Sequence, residues 1–325
     1  MATIEIGSAK ARPGEKAIGR LDIGELREGT GFGLPVAVIN GAKKGPLLYI
    51  QAGSDGNELN GIGVVRELFP RLDPKKLRGA IFIVSPLNFH GFQQNSHYNP
   101  LDNKKTNRNF PGKKDGSITE RLACSVFCYI KMCDLAIDLH QGGTSVMIDE
   151  VRVRVASSHK LHSECMELAK VLGIPYILDK EGPEGQLARA APDEGIPTID
   201  PELGGCVGWD EDSIRKGVRG VFNVLYYYGF LNGDPVLPHE YTVVSDFRDI
   251  YADRGGLVQF AAELHDKVAQ GAKLFSVTDM FGGVRQEVVS PVEGIVWRKR
   301  RLPMVATGER VCSLGIDIRT EAFQS

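Results

Sequence analysis

Pro46-Leu47-Leu48-Tyr49-Ile50-Gln51-Ala52 runs straight into Gly53-Ser54-Asp55-Gly56-Asn57-Glu58, and a helical pattern takes over near Asn60. An apolar run that stops at a glycine and gives way to helical spacing reads as a strand, a turn and a crossover. The helix is expected over Gly61–Leu72, with Val64, Val65, Leu68 and Leu72 on one face. Ala80-Ile81-Phe82-Ile83-Val84, closed by Ser85-Pro86, supplies a second strand. Strand, helix, strand in this order predicts a largely parallel sheet. The turn carries two carboxylates three residues apart, so Asp55 and Glu58 can converge on one point, where a divalent cation would account for the pair. The same residues also suit a helix N-terminus, with Asp55 or Asn57 as cap and Glu58 favouring the first turn.

Upstream, residues 1–45 read as an antiparallel lead-in, with an apolar run from Leu34 to Ile39 that ends at Asn40-Gly41. Downstream, residues 87–118 form a long polar stretch without periodicity, and loops of this length in compact domains are functional or disordered. Tyr98-Asn99-Pro100 and Asn107-Arg108-Asn109-Phe110-Pro111-Gly112 argue for an ordered active-site loop. A helix over Thr119–Lys131 leads to the strand Asp134–His140, with Gly142-Gly143 just beyond. Ligands collect at the carboxyl ends of strands in open α/β sheets, which puts His140 on one rim with Asp55 and Glu58. Val151–Val155 alternates as a half-exposed strand should, and Leu161–Leu172 is an amphipathic helix. Ile196–Gly205 ends in Glu202 beside two glycines, again at the rim. A long helix over Asp212–Leu231 is broken by Asn232-Gly233-Asp234-Pro235.

After about residue 240 the texture turns to short β-like runs punctuated by glycine. Leu264–Gly271 and Pro303–Val311 are similar phrases, each followed by a β run, with Ser290–Val296 between them. This pattern resembles the half-repeat of barrel-sandwich modules that carry lipoyl or biotin groups. A carrier needs a lysine at its hairpin tip, and the corresponding turn, Asp279-Met280-Phe281-Gly282-Gly283, has none. A structural or oligomer-forming module is expected instead, which divides the chain into 1–240 and 241–325 and leaves both a homo-oligomer through the second part and a purely structural role open.

The 325 residues can bury a substantial core, and 42% apolar with 25% charged residues is ordinary globular composition. A net charge of -2 gives no case for nucleic acid or an anionic membrane as partner. No apolar stretch spans a bilayer, and Met1-Ala2-Thr3-Ile4-Glu5 lacks a secretion signal, so a cytoplasmic location is expected by default. The six cysteines form no Cys-x-x-Cys pair and are expected as buried free thiols.

Taken in order, Asp55-x-x-Glu58, the loop with Asn107-Arg108, Asp138-x-His140 and Glu202-x-Gly resemble the succinylglutamate desuccinylase/aspartoacylase family, relatives of the zinc carboxypeptidases. The resemblance runs over nearly the whole chain. It implies a mixed, largely parallel α/β sheet with flanking helices, a small C-terminal all-β module, and amide hydrolysis of a small-molecule substrate. It further implies Asp55, Glu58 and His140 as metal ligands, Glu202 as general base, and Asn107 and Arg108 as holders of the substrate's carboxylate. The chemistry implied is a metal-activated water that loses its proton to Glu202 and attacks an amide carbonyl.

Two positions depart from the family. Asp55 stands where the first histidine ligand is expected, and His97 stands where an arginine polarises the scissile carbonyl. Both changes make the centre less positive, which weakens its pull on a water proton and its hold on an oxyanion. Three outcomes follow from this. One is an active hydrolase whose carboxylate-rich ligand set takes zinc, or a harder ion such as manganese or iron. Another is a degenerate relative that binds a small ligand or a metal without turnover. The third is compensation, in which His97 supplies the imidazole lost at position 55. The first is the expectation, because Glu202 and His140 are both intact.

Overall fold

In a computed structural model describing residues 2–206 and 208–323, the apolar runs assemble into one ten-stranded sheet. Across the sheet the strands are Arg319–Ala322, Glu240–Val244, Tyr176–Asp179, Glu150–Val153, Thr198–Glu202, Leu135–Leu139, Lys43–Ala52, Arg78–Val84, Gly31–Asn40 and Glu15–Glu25. Lys43–Ala52 lies between Leu135–Leu139 and Arg78–Val84 and pairs in parallel with both, as the opening stretch predicts. Thr198–Glu202 is parallel to Leu135–Leu139 on one side and antiparallel to Glu150–Val153 on the other. That reversal sets Glu202 directly opposite Glu150, and Asp200 opposite Arg152.

Alternation within the strands gives the sheet two different faces. Leu48, Ile50, Ile137, Leu139, Val151, Val153 and Ile199 point to one side and pack with the helices Asn60–Arg71, His162–Leu172 and Glu211–Tyr227. Tyr49, Phe82 and Ala136 point to the other and pack under the helix Ile118–Ile130. On that second side, toward the carboxyl ends of the central strands, the apolar residues give way to Asp138, His140, Asp200 and Glu202.

Three expectations are corrected here. Glu150–Val153 is a buried strand with no half-exposed face: Arg152 and Arg154 turn inward, where carboxylate and amide partners await them. The last long helix ends at Tyr227 and not at Leu231, and Gly229 then turns the chain at a φ of 74°. Among the thiols, Cys133, Cys165 and Cys312 are buried, but Cys128 is exposed on the outer face of its helix and Cys124 and Cys206 are half-buried. All six are free, as expected.

Residues 246–316 build a four-stranded antiparallel sheet and supply four of the five strands of a second. The first holds the hairpin Lys273–Thr278 and Val284–Val289, whose tip is 279–283 with Phe281 99% exposed. The second accepts Ser145–Met147 alongside Gly294–Arg300, which ties it to the loop that follows His140. The strands flanking this segment, Glu240–Val244 and Arg319–Ala322, both return to the large sheet.

A candidate metal centre on the sheet rim

The acidic turn is shaped by its two glycines. Gly53 adopts a φ of 70°, where a side chain would be strained, and it turns the chain out of the strand. A Cβ on Gly56 would lie 2.1 Å from the Gly91 carbonyl carbon, so only glycine lets the turn rest against the Phe89–Gln93 helix. Neither Asp55 nor Asn57 caps the helix that follows. Its first residue outside is Leu59, and the side chain of Gln141 reaches over from the neighbouring strand to accept from Leu59 N–H (2.8 Å) and Asn60 N–H (3.0 Å). The cap reading of the turn is therefore overturned. Gln141 satisfies the helix end, and the two acids are left for something else.

What they face is His140. One donor atom from each of Asp55, Glu58 and His140 lies within 4.8 Å of the others, and all three residues are buried. His140 Nδ1 is 2.8 Å from Glu58 Oε2, which also accepts from the Gln141 backbone N–H at 3.1 Å. The ring's Nε2 lies 3.0 Å from Asn107 Nδ2 and 3.1 Å from Asp138 Oδ2. Asn107 Oδ1 accepts from Leu187 N–H, so its NH₂ group is the end turned to the ring. Asp138 is itself held by a buried relay, in which Tyr49 OH donates to Gln51, Gln51 to Ser54 and Ser54 to Asp138.

Glu202 adjoins His140 through a parallel backbone bridge at the end of the sheet. One of its oxygens pairs with Arg152 Nη1 at 2.5 Å, and Arg152 also pairs with Glu150 at 2.6 Å. Glu150 in turn accepts from the indole N–H of Trp297 at 2.5 Å, so a side chain of the C-terminal segment supports the row. His97 comes in from the long loop, with Nδ1 3.7 Å from Asp55 and 4.0 Å from Glu58. Lys105 follows from the same loop, 3.5 Å from Asp55 Oδ2. Arg108 stands exposed at the rim, donating to the carbonyl of Asn107 and free of carboxylate partners among the described residues.

The charges suit a bound cation. Six carboxylates, Asp55, Glu58, Asp138, Glu150, Asp200 and Glu202, are buried here, against Arg152, Arg154 and the partly exposed Arg298 and Lys105. One oxygen on each of Asp55, Asp200 and Glu202 is buried with no hydrogen-bond partner, a costly condition for an anion. Burial, and then the charge of Asp55, push Glu58 up to about 8, an effect that a dication between the two would reverse. Burial alone would lower His140, but Asp138 and Asp200 beside it hold it well above its ordinary value. Burial also lowers His97 against the pull of Asp55. Two carboxylates and an imidazole with converging donor atoms are a ligand set that suits a dication.

The structure brings Asp55, Glu58, His140, Asn107, His97 and Glu202 together, while Arg108 stands exposed beside Asn107. Sequence reasoning missed Asp200, Glu150, Arg152, Lys105 and Gln141, and did not see that Asp138 and Asn107 both brace His140. The signal for most of them is the strand alternation itself, since Asp138 and His140, or Asp200 and Glu202, share a face at a spacing of two. Nothing in the sequence marks Lys105 or Gln141, whose partners are contributed by other elements.

Three comparisons bear on the chain. The succinylglutamate desuccinylase/aspartoacylase catalytic domain matches residues 44–228. The N-alpha-acetyl-L-2,4-diaminobutyric acid deacetylase of Halomonas elongata is 30% identical over 272 residues, spanning 80% of this chain and 77% of that protein. Among solved structures, the product-bound ectoine utilization protein of Ruegeria pomeroyi superposes with a TM-score of 0.85 at 22% identity, covering 97% of this chain and 98% of that one. A succinylglutamate desuccinylase from Silicibacter gives the same TM-score at 20% identity, with 98% of each chain covered. At these identities the two structures speak for the fold.

Proposed function

The chain belongs to the succinylglutamate desuccinylase/aspartoacylase family, and from that footing we propose that it is a metal-dependent hydrolase cleaving the amide bond of an N-acyl amino acid or a similar small carboxylate-bearing amide. The observation that carries this reading is the buried convergence of Asp55, Glu58 and His140. These three would hold the ion, zinc or, given two carboxylates in the set, manganese or iron. The chemistry an ion held there would supply is a lowered pKa for a water and polarisation of a carbonyl oxygen.

The chain's own residues do the rest. Glu202 takes the water's proton on its unpaired oxygen and returns it to the departing amine nitrogen. Arg152 fixes the other oxygen, so the carboxylate cannot swing away. His97, with Lys105 alongside, meets the negative charge that grows on the carbonyl oxygen. Arg108 receives the substrate's carboxylate through its planar fork, and the adjacent Asn107 keeps His140 in place beneath it. The deacetylase relative makes N-acetyl amino acids the first substrates to try.

A second reading has its own support. Lys105 lies 3.5 Å from Asp55 and could neutralise it without a metal, leaving a chain that binds a small ligand and turns nothing over. The separating experiment is hydrolysis of a panel of N-acyl amino acids with zinc, manganese, cobalt or iron supplied. The hydrolase reading expects release of a free amino acid, and a fall of at least about a hundredfold in kcat for Glu202→Gln. Inertness with every metal would favour the binding protein.

A further inference from the structure

The sequence Trp297-Arg298-Lys299-Arg300-Arg301 plays no part in the chemistry above, although Trp297 supports Glu150. Its four cations, with Arg310, line a recess of about 460 Å³ between the strands Gly294–Arg300 and Arg310–Ile316 and the edge strand Ser145–Met147. Glu309 is the one carboxylate among the recess's lining residues. Three of the five cations have acidic partners: Lys299 with Glu263 at 2.7 Å, Arg300 with Glu309 at 3.1 Å and Arg310 with Asp249 at 3.3 Å. Arg298 and Arg301 have none within ion-pair distance among the described residues. Arg298 lies 5.1 Å over the ring of Phe247, and Arg301 reaches the Cys206 sulfur at 3.2 Å. The Nε atoms of Arg298 and Arg300 are both buried without a hydrogen-bond partner.

A guanidinium placed out of water, beside other guanidinia and with an unused donor, is unfavourable as it stands. Burial, and then Arg152, lower the pKa of Arg298, while Glu150 pulls the other way. An oxyanion would reverse the imbalance by taking charge-assisted hydrogen bonds from the free donors. The recess also abuts the catalytic rim. Ser145 pairs with Arg300 across the strand edge, and its carbonyl accepts from Cys206 N–H at 2.6 Å, four residues beyond Glu202.

We propose that this recess is an oxyanion-binding site, taking a carboxylate or phosphate group on Arg298 and Arg301. The group is either the distal acid of a substrate or a free small anion. Calorimetric titration of the whole protein with inorganic phosphate and with succinate tests the site without depending on hydrolysis, so it stands or falls apart from the hydrolase reading. Saturable binding is expected, weakened at least about tenfold in Arg301→Ala, an exposed position, and in Arg298→Gln, which keeps the packing on Phe247.

Paired substrates then identify the source. If the substrate's distal acid occupies the recess, both variants lose about tenfold or more in kcat/KM on N-acetyl glutamate and keep it on N-acetyl norvaline. If a free anion occupies it, phosphate or succinate binding is lost in the variants while both substrates are turned over as before. No saturable binding by the wild type, or equal binding in all three proteins, overturns the proposal.

Discussion

Asp55 brings one more negative charge into its pocket than a histidine would, and the long loop supplies two groups that answer it. His97 and Lys105 both point at the same carboxylate, at 3.7 and 3.5 Å. Burial disfavours the charged form of His97, and Lys105 brings its ammonium group to the same carboxylate. His97→Ala is expected to reduce kcat at least about tenfold with little change in KM, because an oxyanion donor acts in the transition state and not before it. Unchanged turnover would remove His97 from the mechanism. Lys105→Gln is expected to tighten metal binding, since an ammonium beside Asp55 repels a dication, while still lowering kcat. Metal affinity equal to wild type in that variant would mean the Lys105–Asp55 contact carries no weight once an ion is present.

At the level of elements, one side chain separates a helix cap from an active-site turn. Gln141 accepts the first N–H groups of the Asn60–Arg71 helix and donates to the Cys206 carbonyl, so a single amide couples the acidic turn to the loop after Glu202. Gln141→Ala should destabilise the protein by about 1–2 kcal/mol, the usual cost of a lost cap, read by denaturant unfolding. A change below about 0.5 kcal/mol would mean that water or Asn57 takes over the cap. This is also where the sequence is least informative. Asp55 and Glu58 read equally well as cap and as ligands, because the residue that decides between them is 82 positions from Leu59. The rim was legible where one strand both buries and presents its residues. His140 and Glu202 were legible as strand ends, and the period of two in Ile137-Asp138-Leu139-His140 and Ile199-Asp200-Pro201-Glu202 also carried Asp138 and Asp200, whose parts in the site went unread. Val151-Arg152-Val153-Arg154 follows the same period and misleads, since alternating charge suggests solvent and the strand in fact faces Glu150 and Glu202.

Across the whole molecule, the C-terminal sheets are joined to the chemistry by Trp297. Its ring is fully buried, and its N–H holds Glu150, which holds Arg152, which holds Glu202. Trp297→Phe keeps most of the packing but leaves a buried carboxylate oxygen without its donor, a cost of about 1–3 kcal/mol. The same change should lower kcat more than it raises KM, because it loosens the general base and not the substrate's grip. A variant as stable and as active as wild type would show that the row from Trp297 to Glu202 is packing alone. The β-rich character of this segment was plain from its glycine-punctuated runs, but its contact with the site was not, because Glu150 and Trp297 are 147 residues apart and neither belongs to a motif. The proposed chemistry depends on a cation among Asp55, Glu58 and His140. Titration of metal-stripped protein with zinc, manganese or iron, followed by elemental analysis, measures that directly. One ion per chain, with uptake lost in Glu58→Gln and His140→Ala, is the predicted result. No stoichiometric uptake, or the same uptake in both variants, would contradict it.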